Sequence, residues 1–151
     1  MKSTHVVVFF IDEHNKQIYL VRKEVAHKPH LSHLHLKLNG FGGEVEEYDN
    51  NEYAAAKREI WEELNIDLNE FKVIKQGTFI TSKGVVGVFK AKCNDSNSSK
   101  LQVGYIKNEG EASWYDFDYI INNEEELPKG YIKLYEKLFQ RSIDFELDFR
   151  D

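Results

Sequence analysis

Three glutamates in the middle of the chain, Glu59, Glu62 and Glu63, are spaced for metal chemistry. Residues separated by three or four positions are neighbours on a helix, so the three carboxylates project from one face. Crowded carboxylates repel one another unless a cation lies among them, and Mg²⁺ or Mn²⁺ prefers such oxygen ligands. Arg58 can pair with one carboxylate and fix its orientation. A charged helix face is more often simply solvated, so this pattern alone leaves both interpretations open.

A glycine-rich segment lies upstream of the glutamates, at Gly40, Gly42 and Gly43. Glycine permits close backbone approach and unusual backbone angles, so a carbonyl or amide can reach a place that a side chain would obstruct. A tight connection between a strand and a loop would use the same residues. The glycines and the carboxylate helix together are more specific than either pattern alone.

Together the two segments, residues 38–66, resemble the Nudix box, the signature of the Nudix hydrolase family. The signature consists of a glycine, a glutamate, an Arg-Glu pair and a closing Glu-Glu pair followed by a glycine. The matching positions of this chain are Gly43, Arg58, Glu59, Glu62 and Glu63. The resemblance implies the fold of that family, an α/β/α sandwich with a mixed β-sheet, over the whole chain.

The segment departs from the signature at two places. Gly43 lies fifteen positions before Arg58, one more than in the family, and Asn50 stands where the middle glutamate is expected. Asp49, just before it, either takes the role of that carboxylate or leaves the interaction absent. Asn65 replaces the closing glycine, which is a neutral change because asparagine tolerates the left-handed conformation.

The resemblance implies a metal site made by Glu59, Glu62 and Glu63, with the carbonyl of Gly42 as a further ligand. The implied cofactor is Mg²⁺ or Mn²⁺, and Glu59 would also activate the water that attacks phosphorus. Some relatives use a glutamate outside the box as a base or an extra ligand. Glu111, expected in a loop before a strand, is the candidate here, and an ordinary surface acid is the alternative.

The run NGFGGEV at residues 39–45 resembles one branch of the family, the oxidised-purine nucleoside triphosphatases. This resemblance implies that Asn39 reads a purine edge, because its amide offers both a donor and an acceptor. An asparagine that caps a turn and an aromatic ring in the core are the alternatives for Asn39 and Phe41. The other expected substrate contacts are Phe41, Gly43, Arg22 and Lys23.

The expected reaction is metal-dependent hydrolysis of a nucleoside triphosphate, including an oxidised purine nucleotide, to a monophosphate and pyrophosphate. Hydrolysis of ADP-ribose, a nucleotide sugar or a dinucleotide is the alternative within the same class. A non-catalytic module that binds a nucleotide and regulates a partner is the alternative from another class. The three glutamates favour an enzyme, because a pure binder does not need three metal carboxylates.

Composition limits the expected size, partners and location. The chain has 151 residues, of which 41% are hydrophobic, so residues 1–151 suit one domain with a buried core. A formal net charge of -6 repels nucleic-acid backbones, so the expected partner is a small-molecule nucleotide and not a nucleic acid. The apolar run at residues 6–11 is too short for a membrane span. Cys93 is the single cysteine, which fits a reducing cytoplasm, and homodimer formation is left open.

The order of elements predicts an α/β protein. Runs of β-branched and aromatic residues at 6–11 and 18–22 predict a hairpin, and residues 23–37 predict a loop that leads into a strand near Leu36. Helix formers at 52–64 predict a helix with Asn65 at its C-cap. Strands are predicted at 71–80, 85–92 and 112–115, a polar loop at 93–100, and an amphipathic helix at 127–139. Together they indicate a mixed sheet between helices.

Overall fold

A mixed β-sheet forms the centre of the protein in the computed structural model, which describes residues 2–140 and 143–150. Its strands within these ranges are β1 (His5–Asp12), β2 (Gln17–Lys23), β3 (Leu38–Asn39), β4 (Phe41–Glu44), β5 (Lys72–Thr81), β6 (Gly84–Lys92), β7 (Gly104–Ile106), β8 (Gly110–Asp116) and β9 (Phe145–Asp148). Their order is β7-β8-β2-β1-β6-β5-β9, with β3 paired to β2 and β4 paired to β1. β1 is parallel to β6 and β5 is parallel to β9, so the predicted mixed sheet is confirmed.

Helices cover both faces of this sheet. Helix α1 (Glu52–Leu64) packs on one face, while the short helix α2 (Phe117–Ile121) and helix α3 (Tyr131–Phe139) pack on the other. Ala55, Ala56 and Ile60 are the buried residues of α1, and the small side chains of the two alanines let the helix lie close to the strands. The α/β/α sandwich is therefore confirmed. Among the described residues, no helix is long and apolar enough to cross a membrane.

The ends of α1 follow the local sequence. The side chain of Asn51 accepts a hydrogen bond from the Ala54 amide at 2.8 Å and caps the N-terminus. Asn65 adopts the left-handed conformation, with φ 56° and ψ 40°, and its amide donates to the Trp61 carbonyl. Both the predicted bounds of the helix and its left-handed C-cap are confirmed.

Several elements differ from the sequence prediction. The strand predicted near Leu36 begins two residues later, at Leu38, because Leu36 itself has a φ of 60° in the turn that precedes β3. The C-terminal helix begins at Tyr131 and not at residue 127, because Gly130 has a φ of 83° and interrupts the helical path. The sequence prediction also omitted α2, β7 and β9, which are short elements with little periodic signal.

Candidate active site

Arg58 is the centre of a hydrogen-bond network at the exposed edge of α1. Its Nε and Nη2 atoms donate to the two carboxylate oxygens of Asp49 at 3.1 and 2.9 Å, and Nη2 also donates to the Glu44 carbonyl at 3.0 Å. Its Nη1 atom lies 2.9 Å from Glu59 and 3.5 Å from Glu62. The hydrogen bonds from Arg58 lower the pKa of Asp49, which is thus held as a carboxylate. Asp49 therefore supplies the acidic partner of Arg58 that Asn50 cannot supply.

Glu59 lies directly against the glycine segment. A Cβ atom added to Gly43 would lie 2.6 Å from Glu59 Oε1, closer than real Cβ contacts allow. Gly42 approaches β1 even more closely, because an added Cβ would lie 2.0 Å from the Val6 carbonyl oxygen. Gly42 and Gly43 are thus needed for close approach, the first to the neighbouring strand and the second to the carboxylate.

Glu63 points to a different partner from its two neighbours. Its Oε2 atom lies 3.4 Å from Lys23 Nζ, and the same ammonium group donates to Glu109 Oε1 at 2.8 Å. Burial raises the pKa of Glu63, the nearby Lys23 opposes this rise, and the carboxylate of Glu109 adds to it. Burial disfavours the charge on Lys23, but the two carboxylates outweigh burial and raise its pKa. The result is a tightly packed group of two acids and one base.

The donor set of this region fits a hard divalent cation. Within the described residues, the buried Oε1 atom of Glu63 has no hydrogen-bond partner, and a coordinated cation would satisfy it. The available donors are carboxylate and carbonyl oxygens, which Mg²⁺ and Mn²⁺ prefer. In the described part of the chain, no group of three or more acidic, histidine or cysteine side chains lies close enough together to hold a metal ion by itself. Magnesium does not need such a group, because it retains waters and binds substrate phosphates.

Arg22 and Lys23 do not converge on one place. Adjacent residues of a strand project from opposite faces of the sheet. Lys23 lies on the face covered by α1, whereas Arg22 pairs with Glu126 on the face covered by α3. Only Lys23 of the two predicted phosphate contacts therefore lies beside the α1 glutamates.

The expected position of Glu111 is wrong. This residue lies in β8 opposite Arg22 and not in a loop. Its neighbour Ala112 packs in the core on the α1 side, so the side chain of Glu111 projects toward the other face. Glu109 occupies the corresponding place beside Glu63 instead.

The sequence does contain a signal for Glu109. It lies in the β7–β8 turn, between Asn108 with a φ of 70° and Gly110 with a φ of 131°. Asparagine and glycine flanking one residue are typical of a tight hairpin turn. The Glu109 carbonyl accepts from the Glu24 amide at 2.9 Å, which holds this turn against the end of β2. Glu109 is thus a site residue that sequence reasoning missed.

A cavity of about 760 Å³ extends from the glycine segment to the face covered by α3. Asn39 lies in its lining, where Asn39 Oδ1 accepts from the Gly40 amide at 2.8 Å and the side chain also bonds to Tyr131. An amide has two acceptor sites and two donor hydrogens, so these bonds leave one of each for a ligand. The ring of Phe41, by contrast, is completely buried and stacks on Tyr19, and it is not exposed to this cavity.

The cavity carries a charge of opposite sign to the whole chain. Among the residues that the structure describes, two carboxylates belong to its lining, although the chain has 26 acidic and 20 basic residues. The cationic residues of the lining are Lys23, Lys83, Lys129, Lys133 and Arg150. This local excess of positive charge suits an anionic ligand in a protein that otherwise repels anions.

Comparison with protein families assigns the protein to one of them. The family model for the NUDIX domain matches residues 1–138. The chain therefore belongs to the Nudix family, and its class of activity is pyrophosphohydrolysis. No curated protein matches the sequence as a relative.

Solved structures share the fold at low sequence identity. The mutator MutT protein of Bacillus halodurans has a TM-score of 0.68 and 19% identity, over 97% of this chain and 88% of its own. A NUDIX hydrolase from Nitrosomonas europaea has a TM-score of 0.65 and 16% identity, over 100% of this chain and 81% of its own. The NUDIX domain of Shewanella oneidensis NrtR, solved in complex with ADP ribose, has a TM-score of 0.65 and 16% identity, over 91% of this chain and 86% of its own.

Proposed function

We propose that the protein hydrolyses a nucleoside triphosphate, including an oxidised purine nucleotide, to the monophosphate and pyrophosphate. Mg²⁺ or Mn²⁺ would be held by Glu59, Glu62 and Glu63, with the Gly42 carbonyl as a further ligand. The observation that carries this proposal is the meeting of Glu59 with Gly43, which brings a carboxylate of α1 against the glycine segment at the edge of the cavity. When bound, the ion polarises a water molecule and neutralises charge on the leaving phosphate.

The side chains of the site divide the remaining tasks. Arg58 and Asp49 orient Glu59, which accepts the proton of the attacking water. Lys23, whose Nζ atom lies 3.4 Å from Glu63, would contact a phosphate group. Glu109 is the carboxylate outside the box that reaches Glu63, and it replaces Glu111 as the candidate for an additional ligand or base.

The cavity is a suitable place for the nucleoside part of the substrate, which would extend away from the glutamates of α1. Its volume falls within the range of about 300–1,000 Å³ that is usual for small-molecule sites. The free donor and acceptor of Asn39 suit the edge of a purine base, because a purine presents both groups side by side. Reaction in a reducing compartment such as the cytoplasm belongs to this proposal, since Cys93 has no second cysteine with which to pair.

ADP-ribose is the second candidate substrate. It contains the same diphosphate linkage, and the NUDIX domain of similar fold from Shewanella oneidensis was solved with ADP ribose. Cleavage would then release AMP and ribose 5-phosphate. The cationic side chains in the cavity suit either product phosphate.

The test is a substrate panel with Mg²⁺ or Mn²⁺ that contains nucleoside triphosphates, oxidised purine triphosphates, ADP-ribose, nucleotide sugars and dinucleoside polyphosphates. Reaction in H₂¹⁸O identifies the phosphorus atom that water attacks. We expect Glu59→Gln, Glu62→Gln and Glu63→Gln to lower kcat by about 100-fold or more, because a missing base or ligand removes a transition-state interaction. Glu136→Gln on α3 removes the same charge outside this site and is the matched control.

The panel separates the competing functions. Pyrophosphate as a product of a triphosphate supports the main proposal, and preferred cleavage of ADP-ribose supports the second candidate. Nucleotide binding without turnover for every compound would overturn both and favour a regulatory module. Equal loss of activity in Glu136→Gln would show that charge alone, and not the carboxylate site, explains the variants.

A further inference from the structure

Lys23 occupies the position between two carboxylates where a cation is needed. Its Nζ atom lies 2.8 Å from Glu109 and 3.4 Å from Glu63, and these side chains are 20%, 14% and 9% exposed in the order Lys23, Glu109, Glu63. Two acids that are so little exposed to water cannot both carry charge at low cost without a positive neighbour. The ammonium group therefore offsets part of the cost of this buried charge, at oxygens where a metal ion would do the same.

The ammonium group does not complete the bonding of the carboxylates. It contacts Glu63 through Oε2 at a long distance, while the buried Oε1 atom has no hydrogen-bond partner within the described residues. A divalent ion carries twice the charge and takes several oxygen ligands, so it can use both oxygens of such a carboxylate. Lys23 and a divalent ion would repel each other strongly if both stayed at this place.

The strand holds the backbone of Lys23, so a displacement of its ammonium group has to come from the side chain. The residue closes strand β2, where it pairs with Gly110 of β8 and its amide donates to the Lys37 carbonyl. Its ammonium also lies 5.7 Å from the centroid of the Phe41 ring, which gives the side chain a supporting surface. A lysine has a flexible stem with four carbon atoms, so the ammonium can leave the carboxylates while the strand stays in place.

We propose that Lys23 is an internal counter-cation that holds Glu63 and Glu109 together in the metal-free protein and is displaced from them when a divalent ion binds. The inference rests on the proposed function, because it requires Glu63 to be a metal ligand. Lys23 is a positioning residue in the metal-free state. Once displaced, the same ammonium is available to a substrate phosphate, so metal binding prepares the protein for phosphate binding.

The first experiment measures metal affinity and not activity. The free Mn²⁺ concentration is followed by electron paramagnetic resonance during titration of the wild type, Lys23→Met and Lys23→Arg without substrate. We expect Lys23→Met to bind Mn²⁺ about tenfold or more tightly than the wild type, because the competing charge is gone. Lys23→Arg keeps the charge and should bind Mn²⁺ like the wild type.

Two further variants make the result specific. Lys57→Met on α1 removes the same charge but pairs with Asp67, and its Mn²⁺ affinity should match that of the wild type. Adding Glu109→Gln to Lys23→Met should abolish the gain in Mn²⁺ affinity, because one of the two carboxylates for which Lys23 and the ion compete is then absent. Unchanged or weaker Mn²⁺ binding by Lys23→Met, or an equal gain in Lys57→Met, would overturn the proposal.

The second experiment uses the wild type, so it decides the matter even if Lys23→Met fails to fold. An amine-reactive reagent is applied with and without Mg²⁺, and the labelling rate of each lysine is measured by peptide mass spectrometry. We expect Mg²⁺ to increase the rate at Lys23 severalfold and to leave the rate at Lys57 unchanged. An unchanged or slower rate at Lys23 would overturn the proposal, while continued hydrolysis of the substrate panel would leave the proposed function intact.

Discussion

At the residue scale, the guanidinium of Arg58 determines where two carboxylates of α1 point. Its Nη1 atom contacts Glu59 and Glu62, while Nε and Nη2 donate hydrogen bonds to Asp49. Asp49 lies in the loop that precedes α1 and meets Arg58 through both of its carboxylate oxygens. The sequence showed the missing glutamate and offered Asp49 as its substitute, but only the path of this loop shows that Asp49 pairs with Arg58.

Two adjacent glycines provide the sharpest residue-scale prediction, because added methyl groups would meet different neighbours. In Gly43→Ala the new Cβ meets the flexible end of Glu59, which can move aside. We expect kcat to fall by about 100-fold with little change in stability, since a displacement of about 1 Å at a reacting group has this cost. In Gly42→Ala the new Cβ meets the fixed Val6 carbonyl, so the expected loss is about 1–3 kcal/mol of unfolding free energy.

Steady-state kinetics and guanidinium denaturation of both variants check this pair of predictions. The informative result is the contrast between them, because each serves as the control for the other. A Gly43→Ala protein with full activity would mean that the close contact with Glu59 does not position the carboxylate. A Gly43→Ala protein that is less stable than Gly42→Ala would contradict the distinction between side-chain and backbone crowding.

At the element scale, the alternation of side chains along each strand determines which of the predicted residues lie together. Arg22 and Lys23 are adjacent in sequence, yet strand geometry sends one to each face of the sheet. The same rule separates Glu111 from the site, while the turn before it delivers Glu109. The bounds of α1 were predictable because its caps and periodicity are local signals. The partners of these strand residues were not, since register depends on pairing across the whole sheet.

The C-terminus of α1 gives an element-scale prediction at Asn65. Its φ of 56° and ψ of 40° lie in the left-handed region, which costs most residues with a Cβ atom about 1–2 kcal/mol. We expect Asn65→Ala to lower the unfolding free energy by about 1 kcal/mol. The unfolding free energy of Asn65→Gly should equal or exceed that of the wild type. Urea denaturation measures both values. Equal stabilities for the alanine and glycine variants would show that the helix does not end in this conformation.

At the scale of the whole molecule, the sandwich brings two differently charged regions to one cleft. The acidic α1 and the cationic side chains around α3 lie on opposite faces of the sheet, and the cavity reaches from the α3 side to the glycine segment, where Gly43 meets Glu59. The family resemblance implied the sandwich and the metal carboxylates. It did not imply the cationic lining, because Lys83, Lys133 and Arg150 come from distant positions that only the parallel pairing of β5 with β9 and the packing of α3 assemble.

This arrangement predicts that the cavity, and not the net charge of the protein, controls attraction of the substrate. We expect Lys83→Gln and Lys133→Gln to raise KM without lowering kcat, because both residues line the cavity away from the α1 glutamates. Exposed charge pairs contribute about 0.2–1 kcal/mol, which corresponds to at most about a fivefold rise in KM for each variant. KM of the wild type should also rise with salt, and the double variant should respond less. Lys72→Gln, an exposed position at the start of β5 and outside this lining, is the control, and an equal rise in KM there would refute a local effect.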